Sequence, residues 1–138
     1  MRAVTALIAT FGVAATMALG SIEARAQSVG ERILGDPNAP VEIIEYSSLT
    51  CPHCASFHTD TLPSIKEDYI DTGKAKLVMR DFPLNEPAVK AAVVAHCAGD
   101  ERYFRFLDAL FKNQMTWAQT ADVDTALVQF AKLGGLDE

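Results

Sequence analysis

Val41-Glu42-Ile43-Ile44-Glu45-Tyr46-Ser47-Ser48-Leu49-Thr50-Cys51-Pro52-His53-Cys54 decides the fold. Val41 to Tyr46 is rich in β-branched residues and bounded by Pro40 and Ser47-Ser48, the pattern of a strand buried on at least one face. Pro52 suits the first turn of a helix, where a missing N–H costs nothing. From Cys54 onward, Phe57, Leu62, Ile65 and Tyr69 recur at helical steps. Pro63 falls inside that stripe and is expected to kink the helix. Asp71-Thr72-Gly73 ends it. Ala75 to Phe82 (AKLVMRDF) has the composition of a second strand, stopped by Pro83. Strand, helix, strand in so short a span is a βαβ unit, with parallel strands and a right-handed crossover.

Everything after Pro83 reads as helix. Asn85 is placed to cap a helix through Ala88–Ala98, closed by Gly99. Asp100 is placed to cap the next, where Tyr103, Phe104, Leu107, Leu110 and Phe111 form an apolar stripe. That stripe is expected to be core, not a substrate groove. Thr120 is placed to cap a third helix, with Val123, Leu127, Phe130 and Ala131 inward and Gly134-Gly135 at its end. Asp137-Glu138 looks like the opening turn of another. Two parallel strands leave two open edges, and no strand candidate follows Pro83. The expectation is the front part of a larger α/β domain.

Upstream, residues 1–26 (MRAVTALIATFGVAATMALGSIEARA) have a basic Arg2, an uncharged stretch from Ala3 to Gly20 and a small-x-small site at Ala24-Arg25-Ala26. This predicts a signal peptide cleaved after Ala26. An uncleaved anchor is the rival, but the stretch is rich in Ala, Thr and Gly and only weakly hydrophobic. The organisation expected is signal peptide 1–26, a polar N-terminal arm and turn over 27–40, the βαβ part over 41–84, and an incomplete helical insertion over 85–138. The 138 residues carry a net charge of −6. Removing the signal leaves ten basic against seventeen acidic residues. With no run of Lys or Arg, a nucleic-acid or anionic-membrane surface is not expected. Export implies an oxidising compartment, which makes the odd count of three cysteines informative.

The chemistry lies in Cys51-Pro52-His53-Cys54. A disulfide between cysteines this close in sequence encloses a tiny loop and adds little chain-entropy stabilisation. Its value lies in being made and broken. At a helix N-terminus, backbone N–H groups and the helix dipole favour a thiolate on Cys51, the nucleophile. His53 is placed to stabilise that thiolate. Cys54, one turn in, is the expected resolving thiol. A stable thiolate is also a good leaving group, so the oxidised form gives up its disulfide readily. No cofactor is needed beyond this redox-active pair.

Glu45 is the second residue singled out. An acid on a buried strand is costly without a task. Its functional role would be proton acceptor for Cys54, with a raised pKa. The plain alternative is an exposed Glu45 paired with Lys or Arg, as expected for Glu42. His58 and His96 are expected to be surface or satisfied histidines. Cys54 and His58 share a helix face, which leaves zinc or copper as a rival, though a second ligand pair is missing.

The motif and its setting resemble the DsbA-like thiol:disulfide oxidoreductases of the thioredoxin fold. The resemblance rests on Gly35 to Ser48, Thr50 to Cys54, Phe57, and Arg80-Asp81-Phe82-Pro83, and it covers about residues 30–136. It implies Cys51 as nucleophile, Cys54 as resolving cysteine, His53 as tuner and Glu45 as a buried acid near Cys54. It implies unfolded exported proteins as substrates, in the periplasm, and a DsbB-like quinone-linked membrane partner for reoxidation. The family's cis-proline loop, two further strands and final helix have no counterpart in the sequence. The truncated chain is therefore expected to lack activity if those parts are indispensable. Cys97 resembles one half of a second disulfide whose partner lies past residue 138; the alternative is a buried free thiol. A disulfide isomerase or reductase, or a thioredoxin-fold metal-handling module, are the other functions compatible with the motif.

Overall fold

The computed structural model describes residues 30–136. The signal peptide expected at 1–26 and the helical turn expected at Asp137-Glu138 lie outside the described residues. The βαβ unit is present. Strands β2 (Val41–Ser47) and β3 (Ala75–Asp81) pair in parallel, from Val41 opposite Ala75 to Ser47 opposite Asp81. The sheet has three strands among the described residues, not the expected two. Strand β1 (Arg32–Leu34) pairs antiparallel with β3, giving the order β1-β3-β2. It lies inside the 27–40 segment read as an arm and turn. Three residues are too few to show alternation, and the pairing with β3 imposes the extended conformation.

Gly35 makes the turn out of β1 possible. Its φ is +100°, and a Cβ there would meet Ile70 Cγ2 at 2.6 Å. Only glycine fits both the backbone and the space.

Between β2 and β3 runs one unbroken helical stretch. It comprises α1 (Pro52–Ser56), a π-helical turn (Phe57–Thr61), α2 (Leu62–Ile65) and a second π-helical turn (Lys66–Ile70). Pro63 therefore does not interrupt the helix. Proline lacks an N–H and crowds the carbonyl four residues back. The wider turn ahead of it, closed by Leu62 N–H to Phe57 O, accommodates that crowding.

Four helices follow: α3 (Glu86–Cys97), α4 (Tyr103–Lys112), α5 (Gln114–Ala118) and α6 (Val123–Leu133). Asn85 caps α3 as expected, its side-chain oxygen accepting the Ala88 N–H at 3.0 Å. The other two cap assignments change. Asp122, not Thr120, caps α6 by accepting the Thr125 N–H at 2.9 Å. Asp100 caps nothing: α4 starts at Tyr103 with Arg102 in the cap position, and the Asp100 carboxylate pairs with the Arg32 guanidinium.

The core confirms the aromatic stripe as packing. Leu49, Met79, Ala91, Ala95, Tyr103, Leu107, Leu110, Phe111, Trp117 and Leu127 form one buried cluster. Cys54 and Ala55 pack against it. Leu62, Ile70 and Leu77 form a second cluster beneath the sheet. Helix α5, unmarked in the sequence, brings Trp117 into the first cluster, where its indole N–H donates to Leu110 O at 2.8 Å. The start of α1 is thus held between the sheet and the helical layer, which fixes the position of Cys51.

Candidate active site

β2 ends at Ser47, and the chain turns through Ser48-Leu49-Thr50 to place Cys51 as the N-cap of α1. Cys51 has extended backbone angles (φ −84°, ψ 119°). Its N–H donates to Ser48 O at 3.0 Å, and its carbonyl accepts the Ala55 N–H at 3.1 Å. The cap position aims the side chain at the free N–H groups of the first turn.

The two thiols diverge as their positions demand. Hydrogen bonds from the Cys54 backbone N–H and from the Cys54 side chain hold the Cys51 thiol below its ordinary value, against the opposing effect of burial and with a smaller contribution from the His53 backbone N–H. Burial pushes the Cys54 thiol up. The Ser47 hydroxyl and the Ser48 backbone pull it partly back. Ser47 Oγ is buried and has no hydrogen-bond partner at bonding distance. Both cysteines are free thiols and half-buried. One thiol is ready to be an anion and its neighbour is reluctant. That asymmetry suits a nucleophile and a resolving cysteine.

His53 is exposed, and its ring lines an open cleft of about 410 Å³ together with Ile43, Glu45, Tyr46, Cys54 and Phe57. Its backbone N–H contributes to lowering the Cys51 thiol.

Glu45 is enclosed, as its functional reading required, and not exposed as the plain alternative had it. Its side chain is only 12% exposed, and its partner is neither Lys nor Arg. Its two carboxylate oxygens lie 3.2 and 3.1 Å from His58 Nε2. It shares the cleft with Cys54. Glu42 behaves as expected, exposed and paired with Lys76 at 3.1 Å. His58 is buried, with both ring nitrogens facing carboxylates: Glu45 on one side and Asp108 at 3.5 Å on the other. It therefore does not turn towards Cys54 as a shared metal site requires. Among the described residues, no group of three or more His, Cys, Asp or Glu side chains is placed to hold a metal ion. Cys97 is exposed at the end of α3, not buried as its plain alternative had it.

Two supports of the reactive loop escaped sequence reasoning. Gln114, at the start of α5, donates from Nε2 to Leu49 O at 2.9 Å and to Cys51 O at 3.0 Å. Thr50 Oγ1 donates to Asn85 Oδ1 at 3.2 Å, so the cap of α3 also ties down the residue before Cys51. Neither carries a local signal, because each partner is tens of residues away.

Comparison with known proteins agrees with this geometry. A family model described as thioredoxin matches residues 27–136. A Rickettsia bellii protein with the name of a protein-disulfide oxidoreductase is 35% identical over 107 residues, covering 77% of this chain and 41% of its own length. Disulfide bond formation protein D of Bacillus subtilis is 40% identical over 89 residues, covering 62% of this chain and 40% of its own length. Among solved structures, alpha-DsbA1 of Wolbachia pipientis superposes with a TM-score of 0.72 at 44% identity, covering 78% of this chain and 55% of that one. The chain spans about two fifths of the length of the curated relatives it matches. With its βαβ unit, its strand-to-helix Cys-Pro-His-Cys and these matches, the chain belongs to the DsbA-like thiol:disulfide oxidoreductases of the thioredoxin family.

Proposed function

We propose that this protein donates the Cys51–Cys54 disulfide to exported proteins in the periplasm. A substrate thiolate attacks Cys51 Sγ. A substrate–Cys51 bond forms, the Cys51–Cys54 bond breaks, and the electron pair leaves on Cys54 Sγ. A second substrate thiolate then attacks the substrate sulfur of that mixed disulfide and expels Cys51 as thiolate. The substrate gains a disulfide and loses two electrons, and the enzyme pair gains them. Cys51 is the nucleophile and leaving group, Cys54 the resolving cysteine. His53 supports the Cys51 thiolate, and Glu45 serves proton transfer at Cys54. Unfolded exported chains are the substrates, and a DsbB-like membrane protein restores the disulfide. The redox pair needs no other cofactor.

One observation carries this reading: the depressed thiol of Cys51 at the helix N-terminus, beside the raised thiol of Cys54. A reduced pair whose first thiolate is stabilised favours the dithiol form, which makes the disulfide oxidising. The N-terminal 1–26 pattern supports export. The test is iodoacetamide labelling of the reduced protein against pH, with the reduction potential measured against glutathione. Cys51 is expected to react well below pH ~8.5, the ordinary thiol midpoint, and the potential to lie above that of thioredoxin, ~−270 mV. An ordinary Cys51 midpoint, or a thioredoxin-like potential, sinks the oxidase assignment.

A further inference from the structure

His58 sits where three elements meet. It belongs to the π-helical turn after α1, and its side chain is 1% exposed. Its ring stacks on Phe111 of α4, with centroids 4.3 Å apart and planes 26° from parallel. Phe57 meets its edge. Two charged groups face it. From β2, Glu45 approaches Nε2 at 3.1 Å; from α4, Asp108 approaches Nδ1 at 3.5 Å. Its own helix carries Cys54 one turn earlier.

A neutral imidazole has one N–H and satisfies only one of two carboxylates; the imidazolium satisfies both. Burial alone would push His58 below its ordinary value, but hydrogen bonds and charge from Asp108 and Glu45 outweigh that and hold it above. The positions also form a sequence in space. Asp108 is 47% exposed and reaches solvent, His58 is enclosed, and Glu45 opens into the cleft that Cys54 lines. That cleft, about 410 Å³, has room for water.

We propose that His58 holds the proton that Cys54 takes up when the disulfide is cleaved, delivering it through Glu45 and regaining one from solvent by way of Asp108. The inference rests on the redox reading above and extends it to one further residue. As the Cys51–Cys54 bond breaks, the electron pair on Cys54 Sγ accepts a proton from the Glu45 side. The imidazolium Nε2–H replaces it, leaving neutral His58, a Cys54 thiol and the Glu45 carboxylate. His58 touches no reacting sulfur, so it is a positioning residue acting through Glu45.

The test is the pH–rate profile for reduction of the oxidised full chain by glutathione, from pH 5 to 9, with rates corrected for the thiolate fraction of glutathione. The wild type is expected to lose roughly tenfold in corrected rate as His58 deprotonates. That is below the ~10²–10⁴ typical of general acids, because a thiolate leaves more readily than most anions. His58→Gln is expected to give a flat profile at the wild-type alkaline level. Asp108→Asn removes a negative charge beside the ring and is expected to move the break to lower pH. A purely structural His58 lowers the melting temperature and leaves the shape of the profile unchanged, which overturns the proposal. If His58→Gln does not fold, the half-exposed Asp108→Asn decides, and an unmoved break overturns it. A wild type that glutathione does not reduce overturns the redox reading itself, and the relay with it.

Discussion

Gln114 offers the sharpest test of how the helical layer controls the thiols. Its side chain is 5% exposed and its Nε2 serves two backbone carbonyls, those of Leu49 and Cys51. Gln114→Met keeps the length of the side chain and removes both donors. The Cys51 carbonyl retains the Ala55 N–H. The Leu49 carbonyl has no other donor among the described residues and is left unsatisfied in the core. A net hydrogen bond contributes about 0.5–1.5 kcal/mol, and an unsatisfied buried carbonyl costs about 1–3 kcal/mol. The expected loss is therefore about 2 kcal/mol, or roughly 8 °C in Tm for a domain of this size. Gln114→Ala adds lost packing and is expected to cost about 3 kcal/mol. The chemical consequence is separate. The Cys51 thiol is depressed by donors that must stay aligned on its sulfur, the N–H groups of Cys54 and His53. With the loop carbonyls released, that alignment loosens and the Cys51 alkylation midpoint is expected to rise towards its ordinary value. Urea unfolding and iodoacetamide labelling against pH measure the two effects. A Gln114→Met protein within 0.5 kcal/mol of wild type, with an unchanged midpoint, refutes the assignment of Gln114 as the anchor of the loop.

Other perturbations bear on the surrounding frame. Gly35→Ala puts a Cβ against Ile70 at a positive φ and is expected to destabilise by about 1–3 kcal/mol, measured by thermal melting. Asn85→Ala loses the cap of α3 and the acceptor for Thr50; a cost of about 1 kcal/mol is expected in urea unfolding. Trp117→Ala empties the centre of the helical core and is expected to cost about 3–5 kcal/mol, whereas Trp117→Phe costs less because only the indole N–H bond and part of the volume are lost. Stability should also depend on pH through His58. Its folded value lies above the ordinary 6.5, so its contribution is full below about pH 6.5 and is lost as pH rises through the folded value. Comparing the pH dependence of urea midpoints in wild type and His58→Gln checks this; parallel curves over that window contradict it.

The two long strands, the helix opening at Pro52, the Asn85 cap and the Cys-Pro-His-Cys pair were all legible in sequence, because each depends on neighbours within a turn or a strand. The failures share a cause. Strand β1 is extended only because β3 offers it hydrogen bonds, and three residues carry no period of their own. Asp100 has the right chemistry for a cap, but the cap position of α4 falls two residues later, and Asp100 pairs instead with Arg32, a charge distant in sequence.

What the sequence determined by itself was the candidate reaction centre: two cysteines one turn apart at the start of a helix, one favoured as thiolate by backbone dipoles and the other not. Local geometry suffices for that, since the N–H groups acting on Cys51 belong to His53 and Cys54, two and three residues on. What only the tertiary structure decided was the company this pair keeps. His58 meets Glu45 and Asp108, Ser47 tempers the Cys54 thiol, and Gln114 grips the loop, because packing brings β2, α4 and α5 together around α1. Burial and charge act through space, so residues far apart along the chain set the environment of a motif that local sequence alone defines.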